Sequence, residues 1–376
     1  MSAIQQAVCP KMAIAVEISS AKWLVGSYAG GASTVRRKAL TEETAWGRFS
    51  ALLEEIAEAR RRQRLTEGAA VVVAYEAGQE GFWLVRALRA RGVNAEVIDP
   101  VSLPVDRRAR RAKTDRLDVE ALAKALWRWC EGDRTALRMV RIPSAAAEDE
   151  REWERERDRL KSERRALHDR LVKKLRTQGV WILPPNWRAQ LHEGNLRTWS
   201  GAELPAMLQA MLQRELQRLD EVEVHLRALQ REARFNGSTQ QRIERLMRLF
   251  GVGKVGARAL ALRLFWRNFD NRRQVGACVG LVGTPYDSGT LRQDQGISKI
   301  GDPKLRGLLV ELAWMWLRYQ PDSAMARWFA QRTQGAGARG KRVMIVAVAR
   351  RLVIALWRYL AQGVVPEGAR LKRAAV

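Results

Sequence analysis

An α/β domain followed by a long helical spacer and a mostly helical carboxyl-terminal domain is the fold class that this sequence predicts, on three observations. Residues 1–142 alternate short β-prone runs with amphipathic helical stretches. Residues 143–238 change to dense alternation of acid and base and then to an apolar seam at helical spacing. Residues 239–376 are mostly of helical pattern and rich in Arg and Trp. A chain of 376 residues is long enough for two or three domains of ~150 residues, so these three segments are the expected domains.

In the first segment, 12–18 (MAIAVEI) and 22–28 (KWLVGSY) read as strands and 34–40 as a third, with Gly30 and Gly31 supplying a turn. A helical pattern at 45–62 follows, then a strand at 70–75, a helix at 81–91, a strand at 95–98 before Asp99-Pro100, and a helix at 114–129. Three antiparallel strands and then αβαβα give a mixed sheet, which is the ribonuclease H-like order.

The spacer opens with Glu148/Arg151, Glu152/Arg155, Glu154/Arg157 and Glu156/Arg159, all spaced i,i+3, so a long solvated helix is expected. After a break containing Pro184, Pro185, Gly194 and Gly201, the residues Leu208, Leu212, Leu219, Val222, Leu226, Leu229 and Ala233 form a seam that only Glu215 interrupts. Such a seam fits an antiparallel helical pair within the chain or a coiled coil between chains.

Lys and Arg number 67 against 41 Asp and Glu, a formal charge of +26 that points to an anionic partner. Charge of both signs is dispersed along the chain, which favours nucleic acid over a membrane surface. The longest apolar stretch, 343–357, is interrupted by Arg350 and Arg351 and is short of the ~20 residues of a membrane span, so it reads as a buried helix. Cys9, Cys130 and Cys278 form no CxxC, and the start lacks a signal-peptide pattern; a reducing cytoplasm is expected. The only histidines, His168, His192 and His225, lie in polar stretches, which argues against zinc hydrolysis and His-based acid/base chemistry.

Asp115 and Asp118 continue a row through Leu122, Ala125 and Trp129, so both acids extend an apolar helix stripe. A carboxylate facing a core is costly unless paired or metal-bound. Asp115 as a helix cap and Asp118 as an arginine partner is the bland alternative. Glu17 interrupts MAIAVEI, and Glu76 ends the strand AVVVAYE. A ribonuclease H-like layout would bring these four acids together, and carboxylate oxygens select Mg²⁺, or Mn²⁺. Arg107, Arg108, Arg110, Arg111 and Lys113 immediately precede the acidic pair, as a polyanionic substrate would require.

From Leu246, LMRLFGVGKVGARALAL places Gly251, Gly253 and Lys254 between two helical patterns. This fits a helix-hairpin-helix turn whose amides approach a phosphate, or a plain packing corner. Downstream, GLVGTPYDSGTLRQDQGISKIGDPKLRG reads as an exposed loop that holds Ser288, Arg292, Lys299, Lys304 and Arg306.

VDRRARRAKTDRLDVEALAKAL, preceded by YEAGQEGFWLVRALRARGVNAEVIDP, resembles the amino-terminal RuvC-like "DEDD" domain of the insertion-sequence-110 family of bacterial transposases, relatives of Piv-type DNA invertases. FGVGKVGARALA followed by GLVGTPYDSGTLRQDQGISKIGDPKLR resembles that family's carboxyl-terminal domain. The resemblance implies a recombinase of a mobile element, with Glu17, Glu76, Asp115 and Asp118 as its metal-binding acids and Ser288 as its nucleophile. It further implies Mg²⁺, a composite centre formed between protomers of a homo-oligomer up to a tetramer, donor and target DNA, and a structured guide ("bridge") RNA. Glu17, in VEISSAKW, departs from the usual Asp by one methylene. Two other readings compete: a RuvC-like nuclease that hydrolyses DNA and uses Ser288 structurally, and a nucleic-acid-binding protein without catalysis.

Overall fold

The structure is a computed structural model that describes residues 12–66, 69–103, 115–288 and 291–372, without the side chains of residues 115, 116, 287, 288, 291, 292 and 294. The chain divides into two compact units, Met1–Pro143 and Ser144–Val376. The first boundary falls at the composition change; the expected spacer and carboxyl-terminal domain fall together in the second unit.

The first unit is a five-stranded mixed sheet in the order β3-β2-β1-β4-β5. Strands β1 (Met12–Ile18), β2 (Trp23–Tyr28) and β3 (Arg36–Leu40) are antiparallel neighbours, and β4 (Val71–Glu76) and β5 (Asn94–Ile98) run parallel to β1. Helix α1 (Ala45–Arg62) starts where the Thr44 hydroxyl accepts from the Gly47 amide at 3.0 Å. With α2 (Trp83–Ala90) it lies on one face, where Phe49, Leu52, Leu84 and Leu88 pack on Ile14, Val16, Val73 and Tyr75. Helix α3 (Asp115–Cys130) covers the other, where Val119, Leu122 and Leu126 meet Ala13, Ala15, Val72 and Ala74. Because β1 and β4 are covered on both faces, they read as near-continuous apolar runs, which makes each acid at their ends conspicuous.

In the second unit, the Ser144 hydroxyl caps α4 (Ala145–Arg176), and α5 (Trp187–Glu193) leads to α6 (Ala206–Glu232). Trp153 donates to the Leu229 carbonyl at 2.9 Å and Arg170 to Glu215 at 2.8 Å, so α4 and α6 are antiparallel. Leu212, Leu219, Val222 and Leu226 are buried against Leu160, Leu167, Leu171 and Leu175 of the same chain. The seam is therefore filled by an internal hairpin, and it offers no argument for pairing between protomers. Glu215, its one interruption, is satisfied by Arg170 and Arg218. Helix α4 is also less solvated than its charge pattern implies. The expected ion pairs Glu152/Arg155, Glu154/Arg157 and Glu156/Arg159 form, but Glu150, Glu154 and Arg157 are buried.

The remainder is α7 (Gly237–Met247), α8 (Lys254–Arg263), α9 (Arg272–Cys278), the hairpin β6 (Gly283–Ser288) and β7 (Leu291–Ile297), α10 (Pro303–Tyr319), α11 (Ala324–Thr333) and α12 (Ala338–Gln362). The apolar stretch expected to be a buried helix lies in α12, with Val348, Leu352 and Leu356 fully buried. Among the described residues no helix is long and apolar enough to cross a membrane. The segment around Ser288 is not a loop: β6 and β7 pair antiparallel, Ser288 opposite Leu291. Lys304 and Arg306 then fall in the first turn of α10, which Asp302 caps.

Candidate active site

The register of β1 on β4 pairs Val16 with Tyr75, so the next step sets Glu17 beside Glu76 at the carboxyl ends of adjacent parallel strands. Adjacent strands lie ~4.8 Å apart, and residues at one register share a face. That face is the one under α3, since Ala15 and Ala74, two residues earlier, pack there. Both carboxylates are half-buried.

Helix α3 is aimed at this place. A side chain added at Gly26 of β2 would lie 3.1 Å from Val119, and Trp127 lies against Gly30, so α3 runs in the direction of β2 and antiparallel to β1. From Val119 back to Asp115 is a rise of ~6 Å, close to two strand residues, which brings the amino end of α3 level with Leu24, the partner of Glu17. Asp118 is half-buried one turn before the buried Leu122.

The donor set is all carboxylate oxygen, which suits Mg²⁺ or Mn²⁺. Among the described residues no three Asp, Glu, His or Cys side chains converge closely enough to hold a metal ion. Glu17 and Glu76 are the pair that could begin such a site, and Asp118 the described acid that could join it. The side chain of Asp115, and all of Arg107, Arg108, Arg110, Arg111 and Lys113, lie outside the described residues.

In the second unit, the backbone puts Ser288 at the end of β6 and Arg292 on β7; their side chains lie outside the description. Lys299 is exposed with a φ of +56°. Lys304 pairs with Asp158 at 2.9 Å and Arg306 donates to the Val279 carbonyl at 3.4 Å, so both have structural employment. Gly251 has a φ of +86° and would bring a side chain to 3.1 Å from the Met315 carbonyl, so the turn between α7 and α8 requires glycine there. Gly253 caps α8 without a side-chain bond, which leaves the amides of its first turn, including that of Lys254, open to an acceptor.

Two arginines have roles that the sequence does not signal. Arg48 of α1 is buried and donates to the carbonyls of Ser19 at 3.2 Å, Ser20 at 3.0 Å, Ala21 at 2.9 Å and Glu42 at 2.6 Å. It thereby pins the turn that follows Glu17. Arg263 of α8 pairs with Glu154 and Asp158 on α4 and with Asp302 at 2.6 Å, tying the start of α10 to the long helix. Burial alone would raise the Asp302 carboxyl, but Arg263 and the amides of Leu305 and Lys304 outweigh it and hold it below the usual carboxylate range.

Residues 33–178 match the IS110-type DEDD family described as "Transposase", and residues 243–328 match the "Transposase IS116/IS110/IS902 family". Glu76, Asp115 and Asp118 fall in the first segment and Ser288 in the second; Glu17 precedes both. A protein of Sinorhizobium fredii named "Putative transposase y4rJ" is 39% identical over 96% of this chain and 94% of its own length. A second relative, the "Transposase for insertion sequence element IS1328" of Yersinia enterocolitica, is 32% identical over 43% of this chain and 49% of its own. Matched in both halves, and similar to the first relative along nearly its whole length, the chain belongs to the IS110 family of transposases.

Proposed function

We propose that this transposase excises and inserts its own mobile element by cutting and rejoining DNA through Ser288, with Glu17, Glu76, Asp115 and Asp118 holding Mg²⁺, or Mn²⁺ in its place. In this reading it works as a homo-oligomer on donor and target DNA, guided by a structured RNA. The observation that carries it is the juxtaposition of Glu17 and Glu76 under a helix whose amino end bears Asp115 and Asp118. A bound divalent ion would supply positive charge to neutralise the acids and to stabilise charge developing on a phosphodiester.

The Ser288 hydroxyl oxygen would form a bond to phosphorus while the bond from phosphorus to the leaving strand's oxygen breaks. The serine gives up its proton and the departing strand oxygen gains one. One phosphodiester is exchanged for another, so the strand can be rejoined without a nucleotide cofactor, as recombination requires and hydrolysis does not. Arg292 and Lys299, on or just beyond β7, are the cations nearest in sequence for the phosphate oxygens.

A second reading, hydrolysis by a RuvC-like nuclease with Ser288 in a structural role, draws support from its place opposite Leu291 as the last residue of β6. The two are separated by mass spectrometry of nuclease-trimmed protein after reaction with a suicide DNA substrate in Mg²⁺. A nucleotide on Ser288, absent from Ser288→Ala and Asp118→Asn, is the expected result. Adduct on another residue, or full recombination by Ser288→Ala, refutes the nucleophile; full recombination by Asp118→Asn refutes the acidic site.

A further inference from the structure

Between α4, α6 and α8 lies a cavity of about 300 Å³ lined by Trp153, Arg157, Arg227, Arg231, Lys254 and Arg258, among others, and by no acidic side chain. Three helices deliver the five cations. Arg227 and Arg231 are one turn apart on α6, and Lys254 and Arg258 one turn apart on α8. Like charges at this spacing repel and weaken a helix, so two such pairs facing one cavity oppose folding unless an anion joins them. Arg157 is neutralised by a two-oxygen contact to Glu154, both at 3.0 Å. The other four have no ion-pair partner among the described residues.

Arg258 is flanked by two aromatic rings. Its guanidinium lies 5.3 Å from the Trp153 ring and 5.5 Å from that of Phe235. Burial, with the neighbouring Arg157 charge, lowers its pKa against the pull of Glu154. An arginine so placed gains from an arriving anion. The uncapped first turn of α8 contributes Lys254 and Val255 to the same wall, so its open amides add a partial positive charge. The Trp153 ring lies 5.9 Å from the Arg157 guanidinium and 5.3 Å from that of Arg258, so its nearest charged neighbours are both cations of this cavity.

We propose that this cavity is a phosphodiester-binding pocket that grips one backbone segment of the nucleic acid, so that the helical hairpin and the α7–α8 turn act on the substrate as one clamp. The proposal rests on the reading of the chain as a nucleic-acid recombinase and adds to it a binding site built largely from the spacer.

The test uses the full chain, an arbitrary 30-base-pair DNA duplex and an unrelated structured RNA hairpin of similar length, with affinity measured from about 50 to 200 mM KCl. Arg231→Gln with Lys254→Gln should make the slope of log affinity against log salt shallower by about 1 to 2, one unit for each lost phosphate contact. Arg231→Lys with Lys254→Arg should bind like the wild type. A loss confined to one probe identifies that nucleic acid as the occupant, and a loss with both identifies the shared backbone. Relief of like-charge repulsion should leave the neutral variant at least as thermally stable as the wild type, so weakened binding cannot be put down to misfolding. As a second measurement, inorganic phosphate at constant ionic strength should raise the melting temperature of the wild type and not that of the neutral variant. Unchanged slopes with both probes, in a wild type that binds and forms the Ser288 adduct, overturn the pocket alone. A wild type with no salt-dependent binding overturns the recombinase reading with it.

Discussion

Arg48 shows how much of the candidate site depends on a residue that carries no chemistry itself. Its guanidinium joins α1 to the turn at Ser19, Ser20 and Ala21, which begins two residues after Glu17. Arg48→Met keeps most of the apolar stem but removes these charged hydrogen bonds. Because water can reach the turn and replace part of them, a loss of ~1–3 kcal/mol is expected, measured by urea unfolding. DNA cutting should fall while salt-dependent DNA binding stays, since the turn orients an acid and not a cation. Unchanged stability and cutting would mean that the turn holds itself. Glu17 and Glu76 were legible in the sequence because a carboxylate that interrupts a strand buried on both faces contradicts its surroundings. Arg48 was not, because its partners are backbone carbonyls up to 29 residues away and an arginine on an amphipathic helix looks solvated.

Among the elements, the β6–β7 hairpin is not legible in the sequence and the five-stranded sheet is, for one physical reason. Neither GTPYDS nor LRQDQGI alternates apolar with polar residues, which is the pattern by which a strand is recognised. What fixes the segment that follows the hairpin is the Asp302 cap on α10 together with Arg263. This pair makes a pH prediction. With its folded pKa below the ordinary carboxylate value of ~3.9, Asp302 contributes stability that is present above that value and is lost as pH falls through the folded one. Asp302→Asn preserves an oxygen for the Lys304 and Leu305 amides but removes the charge. At pH 7 the variant should be less stable by about 1 kcal/mol, and the difference should close as pH falls below about 4. Thermal midpoints that keep a constant gap down to pH 3 would show that the charge on Asp302 does not contribute.

On the scale of the whole molecule, the chain divides after Pro143, and the helices of the expected spacer lie in one unit with the carboxyl-terminal helices. That union runs through Arg263 and its partners Glu154 and Asp158, more than a hundred positions before it, and each of the three has an adequate local explanation on its own helix. The charge of +26 remains the property of the chain that sequence states most plainly, and it carries the last prediction. Cations that touch phosphates release condensed counterions, so affinity for a DNA duplex should fall by ~10³ to 10⁵ between 50 and 200 mM salt if several contacts form. Neutralising Arg107, Arg108, Arg110 and Arg111 together should flatten that response by up to about 0.9 in slope for each arginine that meets a phosphate. Asp118→Asn should leave the slope alone and keep or raise the affinity, because removing a negative charge cannot weaken attraction to a polyanion. A wild-type affinity that is flat over this range would mean that few of the 67 Lys and Arg residues reach phosphate. An unchanged slope in the four-arginine variant would instead move the contacts off the segment before α3 and onto the basic walls of the second unit.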